Sequence, residues 1–243
     1  MRTNRVYVDA PLTGAARCRL TGSAAHHVSR VLRLRAGDAL VAFDGSGGEY
    51  AASIEQMGRD AVVLRLGAHR AIERESPLAI TLVQGIARAE RMDFVVQKAT
   101  ELGVTRIVPF AAERSVVRLD ERQAASRLAH WRAVAIAACE QCGRNRLPEL
   151  SAPVGLAEFV STLSTESLRL LLSPSATLRA RDLEAQTRSV VVLVGPEGGL
   201  SDAEERAAKR SGFTAVSLGP RTLRTETAAL ATLVVLQARL GDL

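Results

Sequence analysis

Hydrophobic positions follow two different patterns along the chain. In residues 1–72, short apolar runs alternate with glycine-containing and polar turns, and this spacing predicts a series of short strands that form a small β-barrel. One interruption, SAAHHVSRVLRLRAGD, has valine, leucine and arginine at helical spacing, so we expect a short helix that presents arginines. The predicted strands are RVYVD, CRLT, DALVAFDG, GEYAASIEQM and DAVVLRLG.

Beyond a polar and charged segment at residues 70–77, apolar strands alternate with longer helical patterns. Strands separated by helices of this length predict a mostly parallel α/β sheet. We therefore expect one domain over residues 1–72 and an α/β domain over residues 73–243. The predicted helices are ERMDFVVQKATELG, ERQAASRLAHWRAVAIAACEQCG, SDAEERAAKRSG and the segment from Glu226 to Leu240.

Two loops near the C-terminus carry the candidate chemistry. The first, GPEGG at residues 195–199, follows an apolar strand and leads to a helix start where Ser201 and Glu204 have the spacing of a capping box. The second, within AVSLGPRTLRTETAAL, repeats the order of strand, Gly-Pro turn and helix start. Loops at the carboxyl ends of parallel strands bind ligands in open sheets. We expect the two loops to line one cavity.

Arg224 is the residue of the second loop that helix formation does not explain. Thr225 is suited to the N-cap position, and the carboxylate of Glu226 favours the positive end of the helix dipole. A cation at that end is unfavourable, so Arg224 needs an anionic partner. Glu197, Glu226 and a substrate phosphate are the open alternatives, and we favour the phosphate.

The last helix, from Glu226 to Leu240, is apolar on more than one face. Such a helix must be buried on several sides. Its own sheet can cover one face, so we expect a second copy of the chain to cover another and to form a homodimer through the C-terminal domain.

Composition and charge indicate a globular protein with an anionic partner. The chain is 47% hydrophobic and 24% charged, and its net charge of +6 comes almost entirely from arginine. Residues 1–72 hold ten arginines and six acidic residues. Arginine suits bidentate phosphate contacts, although a solvated arginine-rich surface remains the alternative. The candidate phosphate contacts in the N-terminal domain are Arg2, Arg5, Arg30, Arg33 and Arg35.

The sequence lacks the signatures of membrane proteins, secreted proteins, metal sites and nucleotide-binding folds. The sequence has no apolar run long enough to span a membrane and no signal peptide, so we expect a cytoplasmic protein. Cys139 and Cys142 have C-x-x-C spacing, but no second pair or histidine cluster completes a metal site. The dinucleotide-binding and P-loop motifs do not occur. Because aromatic residues make up only 3% of the chain, recognition by base stacking is also disfavoured.

The motifs together resemble those of a known family, the SPOUT-class methyltransferases that modify the N3 of a uridine in 16S rRNA of the small ribosomal subunit. The resemblance implies an N-terminal PUA-like β-barrel that recognises RNA and a C-terminal α/β domain with a deep trefoil knot. The knot is implied by the resemblance alone. The resembling segments are HHVSRVLRLRAGD, FDGSGGEY, ERMDFVVQKATELGV, EQCGRNRLPE, VGPEGGLSDAE and LGPRTLRTETAALA.

The resemblance also implies the cofactor, S-adenosyl-L-methionine, and the loops that hold it. In this family the methyl donor lies bent between three loops of the knot. At the matching positions of this chain, the implied cofactor-binding residues are Leu172, Ser173, Gly195, Pro196, Glu197, Gly198, Gly199, Leu218, Gly219, Leu223, Arg224 and Thr225.

Methylation of a uridine N3 requires that the base is oriented, its proton is accepted and the developing anion is stabilised. We expect Arg224 to hold the target phosphate or the uracil anion, and Glu226 or Glu197 to orient the base or relay its proton. Pairing of either glutamate with Arg224 is the alternative. The competing functions are another SPOUT methyltransferase that acts on tRNA or on a ribose 2′-hydroxyl, and a non-catalytic RNA-binding assembly factor.

Overall fold

The computed structural model describes residues 4–88, 90–115, 120–163, 167–184 and 186–243. Contacts divide the chain into two compact units. The N-terminal unit extends to Glu75 and also includes Ile136–Leu147, and the C-terminal unit comprises Ser76–Ala135 and Pro148–Leu243. The sequence pattern gave no sign that Ile136–Leu147 belongs with the first unit, because this segment continues a helical pattern of the second.

The N-terminal unit contains a five-stranded sheet. Its strand order is β1-β3-β4-β5-β2, with β1 and β3 parallel and the other pairs antiparallel. The described pairs run from β1 to β2 without closing into a ring, so barrel closure stays a prediction. The strands are β1 (Arg5–Tyr7), β2 (Arg17–Thr21), β3 (Ala39–Phe43), β4 (Glu49–Met57) and β5 (Ala61–Arg70).

The predicted short helix lies between β2 and β3. It consists of α1 (Gly22–His26) and a π-helical turn (His27–Val31). Val28 is fully buried, whereas Arg30 on the same turn is exposed. Arg33 follows with a positive φ of 55°, a conformation that non-glycine residues adopt infrequently. The segment therefore presents arginines to solvent, as its pattern predicts.

The C-terminal unit contains a seven-stranded sheet in the order β12-β10-β11-β6-β7-β8, and β9 also pairs with β7. Every strand pair described in this sheet is parallel, which confirms the prediction of a parallel α/β sheet. The strands are β6 (Ala79–Gly85), β7 (Arg106–Ala111), β8 (Glu149–Leu150), β9 (Val154–Gly155), β10 (Leu168–Leu172), β11 (Ser189–Val194) and β12 (Thr214–Val216).

Five helices follow α1 in the described residues. Glycines with positive φ, Gly103 and Gly143, follow the first two of them, as the sequence predicts, because glycine adopts this conformation without a steric cost. No described helix is apolar enough over a sufficient length to cross a bilayer. The helices are α2 (Glu90–Glu101), α3 (Glu121–Cys142), α4 (Leu156–Ser161), α5 (Asp202–Arg210) and α6 (Thr225–Leu240).

Both faces of the parallel sheet are buried. Along β11, Val190 and Val192 face one apolar cluster, and Val191 and Leu193 face another. Because side chains alternate along a strand, a sheet covered on both faces has strands that are apolar throughout. This explains the uninterrupted run SVVVLV, and it leaves the carboxyl ends of the strands as the place where polar groups meet.

The two predicted helix starts have different outcomes. At α5 the capping box is confirmed, because Ser201 Oγ accepts from the Glu204 N–H and Glu204 Oε2 accepts from the Ser201 N–H. At α6 the prediction that Thr225 is the N-cap is wrong. Arg224 occupies the N-cap position with extended backbone, and Thr225 is the first helical residue. The Thr225 hydroxyl donates to the Gly195 carbonyl instead, at 2.6 Å.

Candidate active site

The carboxyl ends of β10, β11 and β12 open into a cavity of about 560 Å³ in the C-terminal unit. These strands are neighbours, because β10 pairs with both β11 and β12, and the loops that follow them therefore converge. The volume lies in the range of small-molecule sites. The predicted cofactor residues that line it are Leu172, Ser173, Gly195, Pro196, Glu197, Gly199, Leu218, Gly219, Leu223, Arg224 and Thr225.

Two predicted residues lie outside this lining. A Cβ on Gly198 would lie 2.7 Å from the carbonyl oxygen of Arg114, so Gly198 packs against backbone. Glu226 is directed toward Arg91 of α2, where the Arg91 Nε and Glu226 Oε1 are 3.9 Å apart. Gly198 therefore contributes to the shape of the first loop, and Glu226 stands beside the cavity.

The wall of the cavity is largely apolar. Leu171, Val194 and Val216 reach it from the ends of the three strands, and Leu218 and Leu223 reach it from the second loop. Apolar walls with a few polar groups are typical of sites that take an aromatic ring system. The cavity thus combines an apolar interior with charged residues of the two loops.

A buried chain of hydrogen bonds joins the two loops beneath the cavity. Gln84, at the end of β6, is fully buried, and its Nε2 donates to the Thr225 hydroxyl at 2.9 Å. The Thr225 hydroxyl in turn donates to the carbonyl of Gly195. A Cβ on Gly85 would lie 2.4 Å from the Pro196 nitrogen, so β6 and the first loop are in close contact. These contacts fix the start of α6 against the loop after β11.

The charged groups beside the cavity are paired in an order that the sequence did not reveal. Arg91 Nη1 donates to Glu197 Oε1 at 3.0 Å, and the backbone N–H of Arg88 donates to the same oxygen at 3.2 Å. Arg91 also faces Glu226. The alternative that Glu197 or Glu226 pairs with Arg224 is therefore wrong, because Arg91 takes both carboxylates.

The contacts of Glu197 favour its ionised form. Partial burial acts to raise the pKa of Glu197, but this effect is outweighed by hydrogen bonds from its own backbone N–H and that of Arg88, and by the Arg91 guanidinium. The pKa of Glu197 consequently lies below its ordinary value. A carboxylate held in this way is a stable negative charge and a weak proton acceptor.

Arg224 and Arg221 both line the cavity and are exposed. Within the described part of the chain, neither guanidinium makes an ion pair or a hydrogen bond. The anionic partner that the position of Arg224 at the helix start predicts is therefore not supplied by the described residues.

The predicted RNA contacts of the N-terminal unit differ in their surroundings. The Arg5 side chain is 9% exposed, its Nη1 donates to Glu49 at 2.6 Å, its Nη2 donates to Asn145 Oδ1 at 2.5 Å, and its guanidinium lies 4.7 Å from the Phe43 ring centroid. Both of its terminal nitrogens donate to protein groups, so we assign Arg5 a structural role. Arg30, Arg33 and Arg35 are exposed, and Arg2 lies outside the described residues.

Cys139 and Cys142 lie in the last turn of α3, where Cys139 is fully buried and Cys142 is partly buried. Burial raises the pKa of the Cys139 thiol to about 12, so it stays protonated at neutral pH. The described residues contain no group of three or more histidine, cysteine or acidic side chains able to hold a metal.

Sequence reasoning missed three residues of this site. Gln84 is a polar residue at the end of an apolar strand, which is a recognisable signal of a buried hydrogen bond. Arg221 stands three residues before Arg224 in the same loop. The reasoning that a cation near the start of a helix needs an anionic partner therefore applies to it as well. Arg91 gave no signal, because a charged residue in the first turn of an amphipathic helix ordinarily faces solvent.

Two family models match the chain. The RNA methyltransferase domain matches residues 74–237, and the RNA methyltransferase PUA domain matches residues 20–67. The two matches fall in the segments that form the parallel sheet and the five-stranded sheet.

Relatives match over the full length. The ribosomal RNA small subunit methyltransferase E of Buchnera aphidicola subsp. Schizaphis graminum is 32% identical over 100% of this chain and 98% of its own length. The crystal structure of that enzyme from Neisseria gonorrhoeae, bound to S-adenosyl methionine, is 38% identical with a TM-score of 0.94 over 99% of both chains. A Legionella pneumophila structure with the bound cofactor SAM is 44% identical, with a TM-score of 0.95 over 100% of both chains. The chain belongs to the ribosomal RNA small subunit methyltransferase E family.

Proposed function

We propose that this protein transfers a methyl group from S-adenosylmethionine to the N3 of a uridine in 16S rRNA of the small ribosomal subunit, in the cytoplasm. The observation that carries the proposal is the single cavity formed by the loops after β10, β11 and β12, with an unpaired arginine beside it. The full-length relatives are named as ribosomal RNA methyltransferases, and the Neisseria structure contains the methyl donor.

The cavity fits this cofactor. Gly219 has a φ of 121°, and no atom lies within 4 Å of the position that its Cβ would take, so its backbone borders open space. Gly199, with a φ of 70°, has the same freedom. Leu218 and Leu223 would contact the adenine, and loop backbone groups at Gly195 and Leu172 would bind its polar edge. When bound, S-adenosylmethionine supplies an electrophilic methyl group on a sulfonium.

The residues beside the cavity would act on the RNA. Arg224 would bind the target phosphate or stabilise negative charge on the uracil as its proton leaves, since a preorganised cation is most effective where charge develops. Glu197, held by Arg91, would orient the base, and Glu226 would orient the base or relay its proton. The hydrogen bonds of Thr225 and Gln84 would hold the loop after β11 and the loop before α6 in fixed positions relative to each other.

The experiment identifies the product. Purified protein is incubated with S-adenosylmethionine and either unmodified small subunits or free 16S rRNA, and the nucleosides are analysed by mass spectrometry. We expect N3-methyluridine. A ribose-methylated nucleoside, or methylation of tRNA alone, would support the competing SPOUT activities. Absence of cofactor binding in isothermal titration would support an RNA-binding assembly factor instead.

The N-terminal unit, in this proposal, is a PUA-like barrel that binds RNA. The exposed residues Arg30, Arg33 and Arg35 are retained as phosphate contacts together with Arg2, and Arg5 is left out. RNA affinity is measured over a range of salt concentrations. Replacing all three exposed arginines by glutamine should reduce the slope of log affinity against log salt by about 2 for single-stranded RNA. An unchanged slope would contradict these contacts.

The proposal includes a homodimer formed through the C-terminal unit and the trefoil knot of the family. Phe94 of α2 and Val234 of α6 are 46% and 44% exposed on helices that pack together. Apolar side chains left open in this way are suited to a second copy. Light scattering should show a dimer for the wild type and a monomer for Val234→Asp, whereas a monomeric wild type would contradict this part.

A further inference from the structure

We infer that Arg221 and Arg224 form a binding site for an RNA phosphodiester beside the cavity, and that Arg91 keeps this site free by holding the two nearby carboxylates. The inference rests on the proposed function for the identity of its ligand. It adds Arg221 as a contact residue and Arg91 as a positioning residue.

The position of the two arginines is the first observation. Both belong to the loop between β12 and α6, both line the cavity, and both are exposed. They are three residues apart, and Gly219 and Pro220 precede them. Two guanidinium groups on one short loop present many donors to a single tetrahedral anion, and arginine matches phosphate oxygens in a bidentate manner.

The second observation is that the carboxylates nearby are already paired. Glu197 and Glu226 face Arg91 at 3.0 and 3.9 Å. Glu205, which also lines the cavity, lies 3.5 Å from Lys209 of the same helix. Glu197 and Glu226 share the guanidinium of Arg91, and Glu205 pairs with Lys209. The charges of Arg221 and Arg224 are therefore not neutralised by any described residue.

The third observation is the helix that begins at the site. Arg224 is the N-cap of α6, its side chain makes no capping hydrogen bond, and the helix extends for 16 residues. The N-terminus of a helix carries partial positive charge and unpaired N–H groups, which favour a bound anion. Two unpaired guanidinium groups beside such an end repel each other and the helix dipole. A phosphodiester removes this repulsion.

By pairing with both nearby carboxylates, Arg91 leaves Arg221 and Arg224 without a partner in the part of the chain that the structure describes. Its guanidinium lies between Glu197 of the first loop and Glu226 of α6, so both carboxylates are directed toward α2. If Arg91 is removed, Arg224 is a cation without a described partner that lines the same cavity as Glu197 and stands two residues before Glu226. We expect the freed carboxylates to capture it and to close the anion site.

The first experiment measures binding of a labelled single-stranded oligouridylate by fluorescence anisotropy over a range of salt concentrations. The double variant Arg221→Gln/Arg224→Gln should flatten the plot of log affinity against log salt by about 1.4, the value for two lost phosphate contacts on a single strand. The matched control is Arg206→Gln/Arg210→Gln, which removes two exposed arginines of α5 that have no ion pair with a described residue. It should leave the slope unchanged.

The second experiment tests Arg91 by a cycle of variants. Arg91→Met should lose about one phosphate contact, and adding Glu197→Gln and Glu226→Gln to it should restore the slope. The same two glutamine substitutions beside an intact Arg91 should change the slope little, because Arg224 is already free. An equal gain in both backgrounds would indicate a general effect of charge and would overturn the positioning role.

The outcomes separate the site from the proposed function. The anion could instead be the carboxylate of the methyl donor, so cofactor affinity is measured by calorimetry for the same double variant. Loss of cofactor affinity with an unchanged salt slope overturns the inference, as does a wild type that binds no oligouridylate. A wild type that shows the predicted slopes but methylates no RNA would contradict the proposed function and leave the phosphate site standing.

Discussion

Arg5 of the N-terminal unit and Arg224 of the C-terminal unit differ in whether the described residues supply a partner for their charge. In the N-terminal unit, Arg5 packs against Glu49, Asn145 and the ring of Phe43, so its charge is paired within the protein. In the C-terminal unit, Arg224 borders a cavity, and the carboxylates that might have paired with it are held by Arg91. The comparison shows that an arginine has a structural role when the fold places a carboxylate beside it, and is available for an anionic ligand when the nearby carboxylates are paired with another cation.

The largest expected effect is on stability and comes from Arg5. Arg5→Met leaves the buried Glu49 carboxylate with the more distant Arg74 as its one remaining cation among the described residues, so it should lower the free energy of unfolding by about 3 kcal/mol. Urea unfolding followed by circular dichroism measures this change. Hydrogen exchange should locate the loss of protection in β1 and residues 136–147.

Arg30→Met is the matched control, because Arg30 is exposed, and it should change stability by no more than about 0.5 kcal/mol. Equal stability of the two variants would show that Arg5 is not the buried structural residue described here.

The next effect is on activity and comes from Arg224. Arg224→Ala should keep cofactor binding within about twofold while methyl transfer falls by about 100- to 1,000-fold, as it does when a preorganised charge is removed from a site where negative charge develops. Calorimetry and a single-turnover methylation assay measure the two quantities. A variant that methylates at the wild-type rate would refute the role assigned to Arg224.

A smaller effect is expected at the buried hydrogen bonds beneath the cavity. Thr225→Val keeps the shape of the side chain but removes one of the two acceptors of the Gln84 amide and the donor to the Gly195 carbonyl, at a cost of about 1–3 kcal/mol. We expect cofactor affinity to fall by about tenfold, and Thr225→Ser to restore it because the hydroxyl returns. If the valine and serine variants bind the cofactor equally well, the loops do not depend on this hydroxyl.

The smallest effect is the pH dependence of the N-terminal unit. Burial acts to raise the pKa of Glu49, but the hydrogen bond and charge of Arg5 and the charge of Arg74 outweigh it and hold that pKa below its ordinary value. A depressed carboxyl pKa contributes stability above the unfolded-state pKa, and this contribution is lost as pH falls through the folded-state value. Glu49→Gln should therefore weaken the decline of stability in acid, and an unaltered acid limb would contradict this assignment.

The sequence predicted the features that depend on local pattern. Apolar periodicity predicted the parallel sheet and its helices, and the spacing of Ser201 and Glu204 predicted the capping box at α5. The positions of two of the three loops followed from the order of strands, because carboxyl ends of parallel strands lie at one edge of the sheet, whereas the loop at Leu172 and Ser173 was implied by the family resemblance. These features are set by residues close together in the chain.

Features that depend on distant residues were not predictable in this way. Arg5 pairs with Glu49 and Asn145, which are 44 and 140 positions away, and Arg91 meets Glu197 across 106 positions. Thr225 has the composition of an N-cap, yet a tertiary hydrogen bond to Gly195 takes its hydroxyl. Ion pairs and buried hydrogen bonds of this kind are determined only when the whole chain has folded.

The most direct test of the central claim is a crystal structure of the protein soaked with S-adenosylmethionine. We expect the cofactor in the cavity lined by Leu172, Gly195 and Leu218, with its methyl group directed toward the side on which Arg224 lies. A cofactor bound elsewhere, or a cavity that remains closed to it at saturating concentration, would contradict the account.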